Sequence, residues 1–151
     1  MPALIRRAVP ADFAAWLRLW QGYNAFYGRS GPTALPDAVT AATWARFLDP
    51  DEPMHCLVAE QDGALMGLVH YLFHRSTTML APNCYLADLF TVVASRGQGL
   101  GRALIEAVCA EARALGLPRV YWQTHETNTT AQALYNKVAQ RSGFIVYRVE
   151  V

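Results

Sequence analysis

The chain has 151 residues, which fits one domain, and its 53% hydrophobic and 17% charged content excludes disorder as the dominant state. Thirteen basic and 12 acidic side chains leave a formal net charge of +1 spread along the sequence, so no footprint for a polyanion is present and nucleic acid is not expected as a partner. Cys56, Cys84 and Cys109 match neither a disulfide framework nor a metal-ligand spacing, and no leader pattern or run of about 18 apolar residues occurs, so a cytoplasmic protein without metal or membrane span is expected.

Ala3 to Val9, closed by Pro10, reads as an opening strand. Asp12 then caps a helix in which Phe13, Trp16, Leu17, Leu19, Trp20 and Tyr23 recur at threes and fours, a wide apolar face that asks for a sheet as its partner. A Gly/Pro/Ser loop from Gly28 to Pro36 leads to a shorter helix over Thr40 to Leu48. Met54 to Glu60 and Ala64 to Arg75 are β-rich runs about Gln61-Asp62-Gly63, whose Asp-Gly pair suits a tight antiparallel hairpin. Cys84 to Val93 is a third strand of this group and runs into a glycine-rich turn. The helix Gly101 to about Leu115 follows, stopped by Gly116 and Pro118. Arg119 to Thr124 is a strand, Asn128 caps a helix through about Ala139, and Phe144 to Val151 is the last strand. The strand-helix-strand crossover in the second half favours parallel pairing there. The predicted fold class is α/β: one domain over 1–151 with a mixed sheet and helices on both faces.

Arg96-Gly97-Gln98-Gly99-Leu100-Gly101 stands between a strand and an amphipathic helix. Amides unsatisfied at a helix start converge on an anion placed there, and Arg96 or Arg102 reinforces the attraction for phosphate. The alternative is a plain strand-to-helix turn using glycine for positive φ. The spacing lacks the interval of GxGxxG and no acidic residue ends the following strand, which disfavours dinucleotide binding; the absence of Gly-Lys-Ser/Thr excludes a P-loop.

The pattern R-x-x-G-x-G after a strand, with Asn128 and Tyr135 on a later helix, resembles the GNAT N-acetyltransferase superfamily. LIRRAVPADF is similar to the family's first strand and helix cap, and CYLADLFTVVASRGQGLGRALI to its coenzyme A segment, so the likeness covers nearly the whole chain and is greatest to the polyamine-like and histone/polyamine-like members. The resemblance implies acetyl-CoA as acyl-donor cosubstrate and a primary amine of a small molecule or protein as acceptor. It implies backbone pairing of Leu89, Phe90 and Thr91 with the pantetheine arm. The amides of Gly97, Gln98, Gly99, Leu100, Gly101 and Arg102, beside Arg96, would grip the pyrophosphate. Asn128 would bond the cofactor arm, and Tyr135 would be the general acid toward sulfur. In the histone/polyamine-like members IVYRVEV pairs between subunits, which implies a homodimer.

The general base is less legible. Relatives often read YLEDLF where this chain reads YLADLF, so Ala87 replaces the usual Glu, and strand alternation turns Asp88 to the opposite face. His70 and His74 share a face but stand roughly 13 Å apart, too far to chelate one metal. His74, nearer the strand end, is the histidine expected at the substrate, with Glu126 as another candidate base. Tyr27, beside Gly28, is the aromatic expected to touch the acceptor, whereas Trp16, Trp20 and Tyr23 follow core spacing. The missing Glu leaves a competing reading, a non-catalytic acyl-CoA-binding module of the same fold.

Overall fold

Asp62 and Gly63 take φ of 52° and 79°, the pair of positive values a two-residue type I′ turn requires. This turn folds β2 (Met54–Gln61) onto β3 (Ala64–His74) antiparallel, as the sequence predicts. The structure, a computed structural model, describes residues 2–151; Met1, part of the expected domain, lies outside the described residues. β1 (Leu4–Arg7) pairs antiparallel with β2, β4 (Asn83–Thr91) antiparallel with β3, and β5 (Val120–Tyr121) parallel with β4, giving the order β1-β2-β3-β4-β5.

Alternation along the strands divides the core. Cys56, Val58 and Leu68 face α1 (Phe13–Phe26) and α2 (Asp37–Leu48), where Trp16, Leu19, Trp20, Tyr23 and Trp44 are buried. Leu57, Ala59, Val69, Tyr71 and Leu86 face α3 (Leu100–Ala114), which buries Leu104, Ile105 and Val108. α4 (Thr129–Val138) adds Leu134, Tyr135 and Val138 to the rim of that second cluster. Helices therefore cover both faces of a mixed sheet, the predicted class. Glu111 of α3 accepts hydrogen bonds from Tyr71 and Arg7, tying the helix across β3 to β1. Leu104 has no exposed surface, so Leu104→Ala is expected to cost about 2–5 kcal/mol in urea unfolding.

Three expectations are corrected. Phe144 to Val151 forms no strand: its side chains are exposed and it pairs with none of the five strands. Asp12 stands at the N-cap of α1, but its carboxylate makes no cap bond; it accepts from the Val9 N–H and from Arg6, which also pairs with Glu60. α2 starts at Asp37, three residues before the expected Thr40, directly after Pro36. Among the described residues no helix is long and apolar enough to cross a membrane.

Candidate active site

β4 and β5 touch only at their beginnings. Cys84 pairs with Val120 and Tyr85 with Tyr121, while from Leu86 to Thr91 the ladder of β4 is shared with β3 alone. The two strands thus diverge, and the β4 backbone at Leu89, Phe90 and Thr91 has one edge left to offer. Across the gap the Thr124 hydroxyl is buried without a hydrogen-bond partner among the described residues, as a slot awaiting a polar ligand would leave it.

The open edge runs through a 3-10 turn, Val93–Ser95, into the glycine segment. Gly97 has φ 80°, and Gly99, the N-cap of α3, has φ 80° and ψ 11°. Left-handed backbone at both points explains glycine there without any ligand, so the plain-turn account and the anion account agree on these residues. What separates them is the surrounding space. A Cβ on Gly99 would meet nothing within 4 Å, and the first bond of the helix is Ala103 N–H to Gly99 C=O. The amides of Leu100, Gly101 and Arg102 lie ahead of it, at the positive end of a 15-residue helix facing open space. Gly101 differs: its Cβ would touch Leu134 of α4 at 3.4 Å, so it serves the helix contact. Arg102 is engaged by Glu106 at 2.9 Å, and Arg96 lies over the Phe90 ring, 5.9 Å from its centroid. The Gln98 side chain reaches back toward the Ala94 carbonyl.

Asn128 caps α4, its Oδ1 accepting from the Ala131 N–H at 3.3 Å, which leaves its amide nitrogen for another partner. Tyr135, two turns along, is half-buried with its ring edge-on to Trp122 at 5.5 Å. Burial, with a smaller contribution from Tyr27, raises its pKa, so the hydroxyl keeps its proton through the neutral range.

Tyr27 continues a run of rings along α1. Trp16 stacks near Trp20 (5.9 Å), Trp20 on Tyr23 (5.3 Å), and Tyr23 meets Tyr27 (5.0 Å). Arg29 lies over Tyr27 at 5.4 Å, its Nε donating to Asn24 Oδ1 at 2.7 Å. Tyr27 is 42% exposed, whereas Trp16 is fully buried and Trp20 and Tyr23 belong to the core, as their helical spacing predicts.

His74 Nε2 is 2.7 Å from the Tyr121 hydroxyl on the rim of β5, and Glu126 is exposed in the turn before α4. The histidine that the structure brings to a carboxylate is His70, 2% exposed, with Nδ1 2.9 Å from Asp88 Oδ2. Alternation would place Asp88 with Cys84 and Leu86 on the α3 side. Instead His70 pairs with Asp88 while Tyr71 pairs with Leu86, so Ala87 is the extra residue of a bulge and Asp88 turns to the α1 side. The sequence carries no bulge signal at this point; Ala87 has no special backbone need.

All three thiols are unsuited to nucleophilic attack. Burial pushes Cys84 up to about 12 and also raises Cys56 and Cys109, which keeps them as inert thiols. A cavity of about 730 Å³ lies between α1, the β2–β3 turn and the end of β4, lined by Arg18, Gly22, Phe90 and Val92 among others.

These features define an α/β protein built to hold an extended, phosphorylated ligand between two diverging strands and a helix start. The chain belongs to the Acetyltransferase (GNAT) family, whose model matches residues 16–139. It is 35% identical over 147 residues to the D-amino-acid N-acetyltransferase HPA3 of Saccharomyces cerevisiae, covering 96% of this chain and 89% of that one. An uncharacterized N-acetyltransferase, YhfO of Bacillus subtilis, is 29% identical over 149 residues, 97% of either chain. Among solved structures, AAC(6')-Iy in complex with the bisubstrate analog CoA-S-monomethyl-acetylneamine superposes with a TM-score of 0.85 at 17% identity, covering 100% of this chain and 99% of that one. That last likeness is one of fold.

Proposed function

We propose that the protein is an acetyl-CoA-dependent N-acetyltransferase, acting as one domain on the primary amine of a small molecule by direct attack. The observation that carries this is the open β4 edge leading into the left-handed Gly99 cradle, with Tyr135 protonated beside the gap. The residues fit the cofactor: the amides of 97–102 would hold its pyrophosphate, the backbone of Leu89 to Thr91 its pantetheine arm, and Asn128 the same arm through its free amide. When bound, acetyl-CoA supplies the acyl group as a thioester. Tyr135 holds a proton at its hydroxyl for the departing sulfur, and no thiol of the chain is available to carry the acyl group between donor and acceptor.

The acceptor we favour carries a carboxylate beside its amine. Its support is the likeness to a D-amino-acid N-acetyltransferase and the position of Arg29, a cation held by Asn24 at the mouth of the aromatic cleft. Tyr27 would touch the acceptor; His74, at the β5 rim, is a second-tier contact for a longer one. We further infer a homodimer joined through residues 144–151.

Calorimetric titration with acetyl-CoA and an acetyl-transfer assay over amino acids and polyamines test this together. Wild type is expected to bind and to prefer amino acids. Tyr135→Phe should bind equally well and lose about 100-fold or more in kcat. Because burial raises the Tyr135 pKa, activity should show no fall from this group until above pH ~10. Binding with no turnover on any amine would establish the competing acyl-CoA-binding module, and no binding at millimolar ligand would overturn both.

A further inference from the structure

The environment of Asp88 is more constrained than a packing role requires. His70 lies between Trp16 and Asp88: Trp16 Nε1 is 3.0 Å from His70 Nε2, and His70 Nδ1 is 2.9 Å from Asp88 Oδ2. An indole N–H can only donate. His70 Nε2 therefore accepts, the imidazole proton sits on Nδ1, and His70 donates that proton's hydrogen bond to Asp88. Both ring nitrogens are engaged, and Trp16 is fully buried between Trp20, Trp44 and Phe47, so the imidazole is fixed in one orientation and one tautomer.

Asp88 gains little charge compensation from this. Its one ion-pair geometry among the described residues is with His70, which in this tautomer is uncharged. The rest of the carboxylate, whose side chain is 21% exposed, faces the Tyr23 side of the cleft. Burial first, then Asp88's charge and the hydrogen bond the Tyr23 hydroxyl donates to its carboxylate, raise the Tyr23 pKa, so that hydroxyl stays protonated. Both donors to this carboxylate, His70 and Tyr23, are neutral, so a cation that enters the cleft meets a hydrogen-bonded carboxylate with no cationic partner among the described residues. Trp20 adds to the same wall: its indole N–H is buried with no partner among the described residues. Tyr23 bonds Asp88 and meets Tyr27 ring to ring at 5.0 Å, so the carboxylate stands on the aromatic wall that runs to the exposed end of α1.

We propose that Trp16 and His70 are positioning residues that hold Asp88 as the anchor for the acceptor's amine, in place of the carboxylate absent at Ala87. Asp88, which accepts from His70 and Tyr23, has lone pairs left to accept the amine's hydrogen bond, and the rings of Trp20 and Tyr23 favour the cation beside it. The proposal rests on the acetyl-transfer reading above and deepens it.

Two measurements decide it. In the wild type, two-bond proton–nitrogen NMR of the histidine rings is expected to show His70 protonated at Nδ1 and bare at Nε2. Protonation at Nε2 would overturn the lock whether or not the protein is an enzyme. In kinetics, Asp88→Asn should raise KM for the amine about 10- to 100-fold while acetyl-CoA affinity by calorimetry is unchanged. His70→Phe should move KM the same way, about 3- to 10-fold. His70→Asn, whose amide reaches the Nδ1 position, should recover most of that loss, which a merely structural histidine would not do. An unchanged amine KM in Asp88→Asn overturns the anchor. Failure of wild type to bind or use acetyl-CoA would overturn the acetyl-transfer reading instead, leaving the NMR result to judge the lock by itself.

Discussion

Gly99→Glu is expected to lower acetyl-CoA affinity by more than about 100-fold while leaving the protein folded. The substitution acts on two separate terms. Gly99 holds φ 80°, so any side chain there pays for left-handed backbone, about 1–2 kcal/mol. That is a tolerable loss for a domain of ordinary stability. No further steric cost arises, since a Cβ would meet nothing within 4 Å. The electrostatic term is the decisive one. A carboxylate one residue before Leu100 can turn back to the free amides of Leu100, Gly101 and Arg102, occupying the place of a phosphate and repelling it. Gly99→Asn separates the two terms, because Asn tolerates left-handed backbone and brings no charge; it should weaken binding by only about 10-fold. Calorimetry for affinity and thermal melting for stability make the comparison. Equal binding by Gly99→Glu and wild type would show that the helix start does not hold the cofactor.

The parts of this fold that sequence made legible are those in which one local rule decides the outcome. Asp62-Gly63 between two alternating runs can close only a tight hairpin, and it does. The glycines at 97 and 99 demand left-handed backbone, and the apolar face of α1 demands a sheet. Failures come where a rule meets a competitor elsewhere in the chain. Asp12 has the side chain of a helix cap, but Arg6 and the Val9 amide claim its carboxylate. Alternation is the right rule for β4 until the bulge at Ala87 advances it by one residue and carries Asp88 to the α1 face, onto His70. At the site, His74 drew attention for its place near a strand end, whereas the structure brings His70, the other histidine of that strand, to a carboxylate. A buried histidine and an aspartate 18 positions apart carry no mark of their pairing until β3 and β4 are in register.

Removing residues 144–151 is expected to convert a dimer of this protein to a monomer, read as a halving of mass by light scattering on a sizing column. The sequence predicts a strand there, and its chemistry is that of one: Ile145, Tyr147, Val149 and Val151 fall on one face, with Arg148 and Glu150 paired at 3.0 Å on the other. Yet Phe144, Ile145, Val146, Tyr147, Val149 and Val151 are each at least 71% exposed. Side chains of this kind are worth about 1.5–3 kcal/mol each when buried, and a patch so large is seldom left to water. β5 meanwhile ends the sheet, bound to β4 on one side only and leaving its other edge free. An arm unpaired with its own sheet and a sheet edge that lacks a strand are complementary in two copies of one chain, and exchange satisfies both at once. Eight apolar side chains buried across two arms, four from the apolar face of each, would offset an association cost of about 4–15 kcal/mol. Acetyl-CoA binding should survive the deletion, because Gly99, the β4 edge and Tyr135 all precede residue 144. Tyr147→Asp with Ile145→Asp tests the same face without shortening the chain and should also yield monomers. A full-length protein that is monomeric at micromolar concentration would overturn the exchange and leave the arm to another partner.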